Sequence, residues 1–415
     1  MFLWSLIWLV AAEDSILKIE EKLTTDKEFY DGWMDLIQLQ AQQAEEQMAD
    51  YPMTYILDDI SKCKKYRPSY DSTAETLRTE DIEIYAEVGH ITTYCTSNYT
   101  LLKEGLLDSC AHRAPQLSLP TLDKMLRLRN PNLTVISTNE RDELLTDQSK
   151  HLAESIQKID GYEEKWKLIV FIPSIQDGEA SETGQTAVEV LSSIEELHKL
   201  LPSKTFIVVL RSSGDGLWRD SSHSHKACRA MLQRWKTYNK FNYNSVWDQI
   251  ELIVQKNFVG PNFTVDIMPL LRDAALVNLP NEVDLSPMGY DCAHFSERGL
   301  SLLHLAIWNS MLTRSPLRTH QYRPQVQPVL CPDPRCPYIR TSANSAYCIF
   351  NDIEEQPITV APQLIVVAVL SLAILLACLL LFFTCRRPRK TNDFKSPIHA
   401  FGSSFSSIKF IDDDS

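Results

Sequence analysis

The chain has 415 residues, of which 44% are apolar and 23% are charged, as in a globular protein rather than a disordered one. That length is enough for one large domain or two ordinary ones. The formal net charge of −13 argues against nucleic acid as a partner, because binding to phosphate groups requires a basic surface.

The N-terminal residues indicate export. Residues 1–12 form a short apolar run, with Val10 and Ala12 placed as in a small-residue cleavage site. This pattern predicts a signal peptide, although the run lacks the usual positive charge before its apolar part. An apolar N-terminal helix of the mature protein is the alternative. Residues 13–74 follow as a polar, helical segment without a recognisable catalytic motif.

From about residue 80, short apolar and β-branched runs alternate with amphipathic helical patterns. This alternation predicts βαβ units, and therefore a three-layer α/β/α sandwich with a parallel sheet, flavodoxin-like in outline. The domain is expected over residues 75–320. The predicted strands are residues 82–88, 133–137, 168–172, 206–210 and 263–268, and the predicted helices include residues 122–128, 188–201 and 296–312.

The C-terminal part of the sequence predicts a membrane anchor. Residues 364–383 carry no charge and are long enough to cross a bilayer as one transmembrane helix. Acidic residues precede this span and four basic residues follow it closely, so residues 384–415 are expected to be a cytoplasmic tail. Residues 321–363 would form a Cys- and Pro-rich extension and stalk. We therefore expect a single-pass type I protein of the plasma membrane, with its large domain outside the cell.

The cysteines and the glycosylation sequons agree with an extracellular domain. An even number of cysteines in an oxidising compartment favours disulfides, although the pairing cannot be read from the sequence. None has paired C-x-x-C spacing, so neither a zinc site nor any other cofactor is expected. Three N-x-T sequons begin at Asn98, Asn132 and Asn262, and we expect at least one to carry a glycan. Eight cysteines precede the predicted span: Cys63, Cys95, Cys110, Cys228, Cys292, Cys331, Cys336 and Cys348.

An Asp and a His stand three residues apart immediately before the last predicted helix. In serine hydrolases such an Asp orients the imidazole, and the His takes the proton of a serine hydroxyl. Ligand sites of parallel sheets lie outside the carboxyl ends of the strands, where loops of this kind gather. Asp291 and His294 are therefore the candidate catalytic pair. The full motif reads Asp291-Cys292-Ala293-His294-Phe295-Ser296-Glu297-Arg298-Gly299.

This motif, followed by Ala306-Ile307-Trp308-Asn309-Ser310-Met311-Leu312, resembles the final block of the phospholipase B enzymes, which belong to the GDSL, or SGNH, hydrolases. The resemblance covers roughly residues 75–350. It implies the SGNH hydrolase fold and a carboxylic ester hydrolase that acts on phospholipids or lysophospholipids. Other similar stretches are Phe263-Thr264-Val265, Pro269-Leu270-Leu271-Arg272, Asp284-Leu285-Ser286, Cys331-Pro332 and Pro337-Tyr338.

The nucleophile block departs from this family. There, a strand ends in Gly-Asp-Ser-Leu-Thr, and the serine is the nucleophile. The matching positions here are Gly89-His90-Ile91-Thr92-Thr93, so isoleucine stands at the serine position. An isoleucine side chain has no hydroxyl and cannot form an acyl-enzyme. Thr92 would point the other way on an extended segment.

The oxyanion side also departs from the family, which supplies an Asn from Gly-Gly-Asn-Asp. Counted without a gap, the matching position is Ile175, whereas a slip of one residue would bring Gln176 there. The loss of one such donor costs about 2.7–4 kcal/mol of transition-state stabilisation. Ser174 is a candidate replacement nucleophile, but it lacks the Gly-x-Ser-x-Gly turn. His223 and His225 are of a metal-ligating type, although a solvated loop fits their surroundings better.

From these residues we expect a non-catalytic phospholipase B-like protein. Its ectodomain would bind membrane lipid, lysophospholipid or a protein partner through the former catalytic cleft. Asp291 and His294 would then be a remnant of the catalytic site, held together as a hydrogen-bonded structural pair. The alternative is an active phospholipase or lysophospholipase that uses an unrecognised nucleophile.

Overall fold

The structure is a computed structural model, and it describes residues 21–50, 53–89, 93–95, 110–112, 119–137, 145–172, 183–211, 216–231 and 244–347. These residues all belong to one compact unit within residues 1–352. In this part of the chain, no helix is long and apolar enough to cross a membrane. The predicted signal peptide, transmembrane helix and cytoplasmic tail lie outside the described residues.

Five parallel strands form the central sheet, in the order β4-β1-β5-β6-β7. Each of the five predicted strands is confirmed, with bounds that differ by at most two residues. A separate antiparallel ribbon joins β2 to β3 and sets Cys95 opposite Cys110. The strands are β1 Ile82–Val88, β2 Thr93–Cys95, β3 Cys110–His112, β4 Thr134–Ser137, β5 Trp166–Phe171, β6 Thr205–Leu210 and β7 Phe263–Met268.

Helices occupy most of the described connections between these strands. The three helices predicted from periodicity are confirmed as α3, α5 and α9. The described residues include four short 3-10 helices, at Thr79–Asp81, Tyr162–Glu164, Pro269–Leu271 and Ser315–Leu317. In the part of the chain that the structure describes, the α-helices are α1 Lys27–Asp50, α2 Tyr55–Lys62, α3 Leu122–Arg129, α4 Leu145–Gln157, α5 Thr183–Leu200, α6 Gly216–Ser224, α7 Lys226–Met231, α8 Asn244–Asn257, α9 Glu297–Leu312 and α10 Ser342–Tyr347.

Both faces of the sheet are covered, because successive residues of each strand enter different hydrophobic clusters. On β5, Leu168 and Val170 belong to one cluster, whereas Ile169 and Phe171 belong to the other. The first cluster also contains residues of α1, α2, α3, α6, α7 and α9, and the second contains residues of α4, α5 and α8. Burial on both faces explains why the strands are almost continuously apolar in the sequence. The predicted α/β architecture with a parallel sheet is confirmed.

Helix α9 is buried on nearly all sides, not only along the predicted apolar stripe. The reason is the segment after it, which folds back over its outer face. The indole N–H of Trp308 donates to the carbonyl of Leu330 over 2.9 Å, and Asn309 bonds the backbone of both Pro328 and Leu330. A disulfide from Cys63 to Cys331 attaches this extension to the end of α2. The described part of the extension is therefore integral to the core.

Candidate functional site

Asp291 and His294 form a direct pair. The ring nitrogen Nδ1 of His294 lies 2.5 Å from Oδ2 of Asp291. The other carboxylate oxygen, Oδ1, accepts hydrogen bonds from the backbone amides of Ala293 and His294, each over 3.0 Å. These bonds close a tight turn over residues 291–294. The backbone bends at Cys292, whose φ of 58° lies in the left-handed region. Both oxygens of Asp291 are thus used to fix the orientation of the imidazole.

The surroundings of the pair keep Asp291 ionised. Its side chain is 12% exposed, and that of His294 is 22% exposed. Burial alone would raise the pKa of Asp291, but attraction to His294 and hydrogen bonds from His294 and Ala293 hold this pKa below its ordinary value of 3.8. An ionised carboxylate can only accept a hydrogen bond, so Nδ1 of His294 carries the proton and donates a hydrogen bond to Asp291. This is the tautomer in which a catalytic histidine uses Nε2 as a base.

Contacts of the Asp291–His294 turn place it at the carboxyl end of the sheet. Helix α6 begins six residues after Leu210, the last residue of β6. In the first turn of this helix, the indole N–H of Trp218 donates to the carbonyl of Ala293 over 2.8 Å. A disulfide from Cys228 on α7 to Cys292 attaches the turn to the next helix. Ligand sites of parallel α/β proteins lie at this end of the sheet.

The end of β1 contains the glycine that the family resemblance implies. Gly89 has a φ of 113°, and a Cβ atom built on it would lie 2.0 Å from the carbonyl oxygen of Ile172. Glycine is therefore required at this turn. Its amide donates to Oε1 of Gln148 over 3.1 Å. The following residues, His90, Ile91 and Thr92, lie outside the described residues, as do Ser174, Ile175 and Gln176.

The two remaining candidate residues, His223 and His225, do not lie together in a loop. His223 is exposed and belongs to α6, whereas His225 is half-buried and follows that helix. The ring nitrogen Nδ1 of His225 accepts from the amide of Ala227 over 3.2 Å, which uses a possible ligand atom. Where the structure describes the chain, no group of three or more His, Cys, Asp or Glu side chains is placed to hold a metal ion.

A second histidine–carboxylate pair, which the sequence did not indicate, is buried near Gly89 at the end of β1. Nε2 of His304 on α9 lies 3.5 Å from Oε1 of Glu87, and the hydroxyl of Tyr85 donates to that same oxygen. Glu87 is two residues before Gly89. The partners are more than two hundred residues apart in the chain, so no local motif could reveal them. Trp218 and Cys228 contact the Asp291–His294 turn from 75 and 64 residues away in the chain, so no local motif indicated them either.

Sequence comparisons find distant relatives. The chain is 24% identical over 343 residues to membrane-associated phospholipase B1 of Mus musculus, covering 71% of this chain and 23% of that protein. The Rattus norvegicus protein of that name is 22% identical over 331 residues, which cover 68% and 23% of the two chains. The Homo sapiens protein is 31% identical over 87 residues, which cover 20% and 6%.

The matched region thus spans less than a quarter of each of these proteins. No protein-family model matches the chain, and no solved structure matches it. The comparisons relate the chain distantly to the membrane-associated phospholipase B1 proteins.

Proposed function

We propose that the domain has the SGNH hydrolase fold and binds lipid at the carboxyl end of its sheet without hydrolysing it. The strand order β4-β1-β5-β6-β7 supports this, because it is the 2-1-3-4-5 order of flavodoxin-like sheets. Such sheets bind ligands where the strand order reverses, which here is between β1 and β5. Gly89 and Ile172, at the ends of these two strands, are in close contact. The distant similarity to phospholipase B1 supports lipid as the ligand.

The observation that carries this proposal is the turn after β1. Gly89 occupies a position that requires glycine, which supports its alignment with the glycine of the family's Gly-Asp-Ser block. In that alignment His90 replaces the Asp and Ile91 replaces the nucleophilic Ser. Without a hydroxyl at position 91, the side chain at the family's nucleophile position cannot form an acyl-enzyme. Apolar side chains at positions 91 and 175 favour an acyl chain as the bound group.

In this proposal, Asp291 and His294 form one polar wall of a mostly apolar cleft. Nδ1 of His294 donates a hydrogen bond to Asp291, which fixes the orientation of the imidazole ring. The whole protein would be exported by its signal peptide and anchored by the span 364–383 as a single-pass type I protein of the plasma membrane. A protein ligand for the same cleft is the alternative to lipid.

The test uses the purified full-length chain. We expect saturable binding of lysophosphatidylcholine with a fluorescent acyl chain, no release of fatty acid, and no covalent labelling by a fluorophosphonate. Ile91→Arg should weaken the binding, because it introduces a charge where the acyl chain is proposed to lie. His320→Ala is the control and should leave the binding unchanged. Like His294, His320 pairs with an aspartate, Asp273, over 2.8 Å, but it lies on the surface. A lack of saturable lipid binding would contradict the proposal.

A second function, ester hydrolysis with an unrecognised nucleophile, is favoured by one observation. The Asp291–His294 pair has the geometry and the ionised carboxylate of an intact catalytic pair. Fluorophosphonate labelling that is abolished by His294→Ala and retained in His320→Ala would establish this function instead.

A further inference from the structure

The segment that leads into Asp291 is buried but irregular. Residues 284–290 are all buried, although their only strand-like feature is an isolated bridge from Met288 to Phe295. Buried backbone carbonyls without a helix or a sheet ladder need other hydrogen-bond donors. The position of Asp291 therefore depends on whatever supplies those donors.

The side chain of Gln40, on the N-terminal helix α1, supplies several of them. Gln40 is fully buried. Its amide nitrogen lies 3.4 Å from the carbonyl oxygen of Leu285, and 3.1 Å from those of Met288 and Gly289. The two N–H groups of one side-chain amide are thus within hydrogen-bonding distance of three carbonyls of the same short segment.

Two neighbours on the same face of α1 extend this contact in both directions. The indole N–H of Trp33 donates to the carbonyl of Tyr290 over 3.3 Å, and the two rings meet edge to face at 6.1 Å. Gln43 donates to the carbonyl of Val283 over 3.0 Å and accepts from the amide of Leu285 over 2.8 Å. Residues 33, 40 and 43 are spaced seven and three apart, so they lie on one side of the helix. This face of α1 follows the backbone up to the residue before Asp291.

Gly289 connects Gln40 to the turn that contains Asp291 and His294. Its carbonyl accepts from Gln40 and also from the amide of Cys292 over 3.0 Å. Its own amide donates to the carbonyl of His294 over 2.8 Å. A shift of Gly289 would therefore move the turn that holds Asp291 and His294. On the far side of the turn, the disulfide to Cys228 fixes Cys292.

We propose that Gln40 is a positioning residue for Asp291 and His294, and that α1 is thereby a structural part of the ligand site. The effect of Gln40 on ligand affinity rests on the proposed lipid binding. Its effect on the geometry of the pair does not.

The first test measures the titration of the Asp291 carboxylate in the full-length chain by carbon-13 NMR. The Asp291→Asn variant identifies its signal. Gln40→Met keeps the length of the side chain but removes the donor. Because contact with His294 opposes the effect of burial, loosening the pair should raise the titration midpoint of Asp291. Gln42→Met is the matched control, since Gln42 is exposed and bonds Glu46 on its own helix.

A milder variant keeps the proposal testable if Gln40→Met does not fold. Trp33→Phe retains the aromatic ring and removes only the N–H that meets Tyr290, so a smaller rise in the same direction is expected. An Asp291 midpoint that stays at the wild-type value in a folded Gln40→Met variant would overturn the proposal. With Gln40→Met unfolded, an unchanged midpoint in Trp33→Phe would do the same.

The second test measures binding of the fluorescent lysophosphatidylcholine to the same variants. Gln40→Met should weaken it by about three- to tenfold, the equivalent of one hydrogen bond, and Gln42→Met should leave it unchanged. Weakened binding with an unchanged Asp291 midpoint would contradict a positioning role. A raised midpoint in a chain that binds no lipid, even as wild type, would refute the proposed function and support the positioning role.

Discussion

Gly299 shows why the Asp291–His294 motif ends in glycine. It lies in the first turn of α9, where a Cβ atom would come within 2.0 Å of the carbonyl oxygen of Pro287. That oxygen already accepts from the amide of Ser296 over 2.9 Å. The hydroxyl of Ser296 accepts from the amide of Gly299 over 3.1 Å and so caps the helix. Because glycine has no Cβ atom, the first turn of α9 can approach the segment before Asp291 closely.

Gly299→Ala should therefore destabilise the fold by about 1–3 kcal/mol, because the added methyl group has no space. Chemical denaturation followed by tryptophan fluorescence would measure this loss. Gly260→Ala is the comparison, since its Cβ would lie 3.3 Å from the carbonyl oxygen of Phe263 and needs only a small adjustment. Equal losses in the two variants would argue against a close approach at Gly299.

Among the secondary-structure elements, the junction of α1 with α7 combines close packing and a titratable group. A Cβ on Gly32 would lie 2.9 Å from Cε of Lys226, so the two helices are in close contact. His225 precedes α7. Burial lowers the pKa of His225 and Lys226 lowers it further, against the opposing effect of Asp35 on α1. The folded chain therefore binds a proton at His225 less readily than the unfolded chain does.

This difference predicts a dependence of stability on pH. The contribution of neutral His225 is present above its unfolded pKa of 6.5 and is lost as the pH falls below that value. Thermal unfolding should show a fall in stability between pH about 7.5 and about 5.5. The fall should be smaller in His225→Gln, and unchanged in His223→Gln, which alters an exposed neighbour. An identical pH profile for wild type and His225→Gln would refute this assignment.

The elements differed in how well the sequence predicted them, for physical reasons. Strands β1, β5, β6 and β7 were predictable because nearly all of their residues are buried, which makes each run mostly apolar. Strands β2 and β3 have three residues each, too few for a recognisable alternation. The pairing of Asp291 with His294 followed from a spacing of three. The contacts from Gln40 did not, because they join positions 245–249 residues apart.

At the scale of the whole molecule, two glycosylation sequons lie opposite the proposed ligand site. Asn132 precedes β4 and Asn262 precedes β7, and both residues are exposed. β4 and β7 are the two outer strands of the sheet, and both asparagines lie at the amino ends of these strands. Glycans there would leave the carboxyl end, with Asp291 and His294, accessible.

We expect both asparagines to carry glycan when the chain is made in mammalian cells. Treatment with a peptide N-glycosidase should lower the apparent mass on a gel. Asn132→Gln and Asn262→Gln should each remove one glycan from the untreated protein, with lipid binding unchanged. A variant that migrates like the wild type would show that its asparagine is unmodified.

The disulfide between Cys63 and Cys331 connects residues 268 positions apart. The whole central sheet and the Asp291–His294 pair belong to the stretch of chain between them. A protease that cuts a loop within this stretch would not release a fragment, since both products stay joined through the sulfur atoms. The nicked domain would run as one species on a non-reducing gel and as two after reduction. Cleavage of a loop and loss of the domain would thus be separate events for this protein.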